Sequence, residues 1–99
     1  MSIYDNEYDV HIRYDDPFDN PKILARAYDL IEMCSGEVKE IRTDGYRPGC
    51  TNSSVIHFEV PNDEVRNDIE IRLKEGGLAD NIRSIKKHEI VLPFTLKIF

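Results

Sequence analysis

From Tyr8 to Tyr14 the chain alternates strictly, with Tyr8, Val10, Ile12 and Tyr14 on one side and Asp9, His11 and Arg13 on the other. A period of two marks a half-buried strand. Asp15 to Asn20 breaks the alternation. Asp19 or Asn20 can cap a helix, and Pro21 suits its first turn, where a missing N–H leaves nothing unpaired. Ile23, Leu24, Ala27, Leu30, Ile31 and Cys34 then fall on one side of a helical repeat, and Gly36 offers a left-handed stop. Glu37 to Thr43 reads as a second strand in which the spacing of Val38 and Ile41 requires either a bulge or a weakly patterned edge.

Asp44-Gly45 turns the chain, and Tyr46 to Asn52 makes a loop longer than a tight hairpin needs. Ser54 to Val60 alternates again, with Ile56, Phe58 and Val60 inward and Val55, His57 and Glu59 outward. Pro61 ends it, and Asn62 or Asp63 caps a second helix with Val65, Ile69 and Leu73 as its buried stripe and Gly76-Gly77 as its close. A fourth strand is expected from about Ile82 to Leu92, and after Pro93 an alternating tail of Phe94, Leu96 and Ile98 reads as an extra strand.

The order strand, helix, strand, strand, helix, strand predicts an α+β fold. Specifically, it predicts a ferredoxin-like βαββαβ sandwich over residues 1–99, with an antiparallel four-stranded sheet and both helices on one face. Strands one and three should lie at the centre with strand four beside strand one. At 99 residues there is room for one core and a thin stability margin, so a homodimer is a natural supplement. The apolar tail from Leu92 to Phe99 points the same way, because an unpaired strand of that kind is an aggregation hazard.

Composition narrows the function. Hydrophobic residues make up 40% and charged residues 32%, ordinary values for a globular domain. No apolar run approaches the roughly 20 residues needed to span a bilayer, and the acidic start MSIYDNEYD is wrong for a signal peptide. The expected location is therefore the cytoplasm, with no membrane partner. The net charge is −6, concentrated in Asp5, Glu7, Asp9, Asp15, Asp16 and Asp19 against Arg13 alone, which disfavours direct nucleic-acid binding. Cys34 and Cys50 have neither disulfide-framework nor zinc-knuckle spacing and read as free thiols.

The stretch from Asp16 to Val60, DPFDNPKILARAYDLIEMCSGEVKEIRTDGYRPGCTNSSVIHFEV, resembles an ACT domain, and the likeness extends loosely through LKEGGLADNIRSIKKHEI. It rests on a strand followed by Asp-x-Pro, a Leu/Ile-rich helix ending near Gly36, the strands VKEIRT and VIHFEV, and the acidic-start helix. The resemblance implies a small regulatory domain that dimerises and senses an amino acid or another small ligand. Where ACT domains usually place Gly after the Pro, this chain has Phe18, Asp19 and Asn20.

A ligand is expected at the first strand-to-helix loop, touching Asp16, Phe18 and Asn20 with Ile23 and Leu24 beneath, where a helix N-terminus offers free N–H donors. The carboxylates around it favour a ligand bearing an amine or arriving with a cation. His11, His57 and His88 project outward from adjacent strands and could hold zinc or sense pH, but a solvated face that includes some histidines by chance is the simpler account, and no metal is assigned. No GxSxG, HExxH, phosphate loop or deaminase signature occurs, so neither enzyme activity nor a cofactor is expected. The alternative is an acidic protein-interaction module, such as a phage-type inhibitor of a nucleic-acid-processing or defence complex.

Overall fold

Tyr8, Val10, Ile12 and Tyr14, the apolar parity of the first strand, are all buried, as are Ile56, Phe58 and Val60 beside them. The computed structural model describes residues 6–14, 20–43 and 52–88. Its elements run β1 (Glu7–Tyr14), α1 (Asn20–Met33), β2 (Glu37–Thr43), β3 (Asn52–Glu59), α2 (Asp63–Leu73), a π-helical turn (Lys74–Leu78) and β4 (Ile82–Lys87). The strands form one sheet in the order β2-β3-β1-β4, every neighbouring pair antiparallel. Both helices cover one face of it, and the fold is the expected ferredoxin-like α+β sandwich. The tail expected as an extra strand lies outside the described residues, as do the loops at 15–19 and 44–51. No helix among the described residues is long and apolar enough to cross a membrane.

The core forms where the helices meet the inward sheet face. Ala27, Leu30 and Ile31 of α1 and Ile69 and Leu73 of α2 pack on β1 and β3, with Ile23, Leu24, Cys34, Val38, Val65, Ile82 and Ile85 at its margin. Burying such a set is the main favourable contribution to folding. Inside it, the Tyr14 hydroxyl and Ser54 Oγ lie 3.0 Å apart, and Ser54 donates to Thr43 Oγ1 at 3.0 Å. This chain gives the buried polar atoms of β1 and β3 partners at the edge of β2.

Several local expectations are refined. The side chain of Asn62 caps α2 by accepting from Val65 N–H at 3.0 Å. The uneven pattern of β2 has both proposed causes at once: it is an outer strand, and its register shifts between Val38 and Glu40. The left-handed residue after α1 is Ser35, at φ 72°, rather than Gly36. Gly36 is required for space instead, since a Cβ there would stand 2.6 Å from Ile31 Cγ2 and 2.9 Å from Ile69 Cδ1.

Candidate functional site

The sheet face away from the helices carries the outward parity of β1, β3 and β4. Glu7 and Asp9 project there from the central strand β1. Across one interstrand gap His57 of β3 stands opposite Asp9, and across the other the His88 N–H donates to the Glu7 carbonyl at 2.9 Å. The side chains then cross. His57 Nε2 lies 2.7 Å from Glu7 Oε1, and His88 Nδ1 lies 2.9 Å from Asp9 Oδ1, so each imidazole takes the diagonal carboxylate rather than the one directly opposite. Diagonal neighbours on a sheet are within reach of side chains of this length. The crossing brings the two rings together above β1, stacked at a centroid distance of 3.6 Å and an interplanar angle of 10°.

The quartet is well shielded for an outer face. Side-chain exposure is 14% for His57, 13% for Glu7, 16% for His88 and 13% for Asp9. One oxygen of Asp9 and one nitrogen each of His57 and His88 lie within 4.8 Å of one another, so these three are the metal-capable group among the described residues. Around them the sheet is acidic. Glu40 stands opposite His57, and Glu59 stands opposite both Glu7 and Glu37, whereas Lys86 stands opposite Asp9. Lys39, in the β2 bulge, bridges Glu37 at 3.3 Å and Glu59 at 3.2 Å. Its hydrogen bonds to Glu59 and then Glu37 hold its pKa above the ordinary lysine value.

The sequence pointed to this face through its histidines but assembled the wrong set. His11 is on the same face, one step along β1 from Asp9, and takes no part in the crossed pairs. The expectation of a merely solvated face is corrected for His57 and His88, which are shielded and paired. Glu7 and Asp9 were missed as their partners. Alternation placed both on the histidine side, but only the interstrand register shows which carboxylate meets which ring. Of the residues expected to bind a ligand, Asp16 and Phe18 lie outside the described residues and Asn20 opens α1. Ile23 and Leu24 are partly buried against the core.

A second surface lies on the helix side. Met33, Cys34 and Ser35 at the end of α1 and Val65, Asp68, Ile71, Arg72 and Glu75 around α2 line an open groove of about 640 Å³. Met33 is 78% and Ile71 53% exposed, large apolar surface for solvent to cover.

No protein-family model matches this sequence, and no curated protein matches it. Solved structures do. The C-terminal domain of the MgtC protein from Mycobacterium tuberculosis superposes with a TM-score of 0.62 at 15% identity, covering 89% of this chain and 90% of that one. The de novo designed protein Foldit4 superposes with a TM-score of 0.60 at 14% identity, covering 86% and 97%. A natural domain and a designed chain share this architecture at such low identity, so the likeness establishes the fold: a four-stranded antiparallel sheet with two helices on one face.

Proposed function

We propose that this chain is a small regulatory module that acts by binding rather than by catalysis, with the helix-free sheet face as its recognition surface. The crossed Glu7–His57 and Asp9–His88 pairs carry this reading. An outer sheet face that only has to be wettable needs no convergence of ionisable groups, and here β1, β3 and the residue that follows β4 bring such groups together under shield.

The resemblance to ACT domains adds a finer expectation, a homodimer that senses an amino acid or other small ligand. The observed ferredoxin-like fold is compatible with it. β2, an outer strand of the described sheet with Ile41 40% exposed, is an edge on which a second copy could pair. Light scattering at micromolar concentration is expected to give twice the mass of one chain, and a monomer would remove this part of the reading.

Backbone amide NMR, titrated with amino acids, nucleotides and divalent cations, tests the recognition surface. Shifts centred on Glu7 to His11, Val55 to Glu59 and Ser84 to His88 support it. Shifts centred on Asn20 to Leu24 place the ligand at the first strand-to-helix junction with Asp16 and Phe18 instead. Silence across the panel favours a second reading, a protein-interaction module docking through the groove that exposes Met33 and Ile71.

A further inference from the structure

We infer that Asp9, His57 and His88 form a binding site for a divalent transition-metal ion of the zinc class, with Glu7 orienting His57. The inference rests on the helix-free face being a binding surface and names what it binds. Zinc takes imidazole nitrogen and carboxylate oxygen at about 2.0–2.2 Å in tetrahedral array, which sets the donors roughly 3.4 Å apart. The three donors here already lie within 4.8 Å of one another. To share an ion the two stacked rings must tilt out of their 10° parallel arrangement so that their in-plane nitrogen lone pairs converge.

Donor chemistry selects the ion. Two nitrogens and one carboxylate suit zinc, nickel or copper, whereas magnesium and calcium take sets built from oxygen. Surroundings favour a cation as well. Glu7, Asp9, Glu37, Glu40 and Glu59 lie on the two rungs of the sheet that carry the imidazoles, against Lys39 and Lys86. Glu7 lies 2.7 Å from His57 Nε2, so with the ion on Nδ1 it would stand behind the imidazole and fix the ring and its tautomer.

The crossed geometry distinguishes this cluster from two ordinary ion pairs. Each histidine stands opposite one carboxylate of β1 and bonds the other, and the two rings stack at 3.6 Å. On binding, the ion replaces the hydrogen bond between His88 Nδ1 and Asp9. The proton that joins them moves to the other ring nitrogen if the imidazole is neutral, or to solvent if it is charged. Three protein ligands leave one tetrahedral position for water or a small molecule. Occupancy would tie β3, β1 and β4 together and could be read by a partner.

The protein is stripped with a chelator and titrated with zinc chloride by calorimetry and with cobalt chloride by visible absorption. The expected result is one ion per chain with micromolar or tighter affinity, and tetrahedral cobalt bands. At a hundredfold excess of zinc over Kd, the melting temperature should rise by roughly 10 °C or more. His57→Ala, His88→Ala and Asp9→Asn should each weaken binding at least tenfold, and His11→Ala should leave it unchanged. If a variant does not fold, imidazole nitrogen NMR of the native chain decides, with zinc moving the His57 and His88 signals and sparing His11. Absence of binding at millimolar zinc, or ring signals that move only at His11, overturns the metal site. Amides of the sheet face that respond to another ligand while zinc gives nothing would overturn this inference and leave the binding surface standing.

Discussion

Tyr8 joins two layers with one side chain. Its ring stacks near Phe58 at 6.1 Å and under the Arg66 guanidinium at 5.7 Å, while its hydroxyl donates to Asp63 Oδ1 at 2.8 Å. Arg66 in turn donates to the Ile85 carbonyl at 3.1 Å, so the start of α2 is held to both β1 and β4. On the opposite face His57 has a comparable place, and parity alone misjudges it. Outward parity predicts that His57→Ala is nearly neutral, but a shielded imidazole on a carboxylate predicts a cost of about 1–3 kcal/mol in metal-free protein. Urea unfolding should show a lower midpoint at unchanged slope. Combined with Glu7→Gln, the losses should be non-additive, the signature of a direct contact. Additive losses would mean that the pair is not formed in solution. In the core, Phe58→Ala should cost about 3–5 kcal/mol by emptying a fully buried site.

At the scale of elements, the turn after α1 and the turn after α2 contrast two uses of glycine. Gly36 has no room for a methyl group, so Gly36→Ala should cost about 1–3 kcal/mol as Ile31 and Ile69 are pushed aside. Gly77 has open space but sits at φ 94°, so Gly77→Ala should cost less, about 1 kcal/mol, through backbone strain alone. Thermal melts of the two variants rank them. Along α2, the hydrogen bond from Lys74 and then that from Arg66 hold the Glu70 carboxyl below its ordinary pKa of 4.5. The resulting stability is present above the ordinary carboxylate range and lost as pH falls through the lowered folded value. Native protein and Glu70→Gln should therefore differ near neutrality and converge in acid. The central strands and the helices were legible because one apolar parity or stripe marks each: Val10, Ile12 and Ile56 for strands, Ala27, Ile31, Ile69 and Leu73 for helices. The bulge in β2 was legible as one of two readings of the Val38 and Ile41 spacing, whereas the positive φ at Ser35 was not, because it is fixed by packing between elements rather than by local sequence.

For the whole molecule, the sequence order of elements was enough to give the sheet order, since two interleaved βαβ crossovers leave few alternatives. It was not enough to give the site, whose members lie far apart in the chain and meet only through register. Asp9 and His88 are 79 residues apart, His57 and Glu7 50, and Tyr8 and Asp63 55. Closing loops of that length must precede the contacts that reward it, which slows folding relative to a helical bundle of equal size. The central strand is also made early and must wait for both of its neighbours. During synthesis Glu7 to Tyr14 leaves the ribosome long before Ile82 to Lys87, and until β4 arrives one edge of β1 has no strand to pair with. A chain arrested before Ile82 is therefore expected to be protease-sensitive and aggregation-prone, and one released after His88 to be resistant. The quartet on the sheet face is then assembled only once β4 has docked on β1, because His88 follows that strand directly.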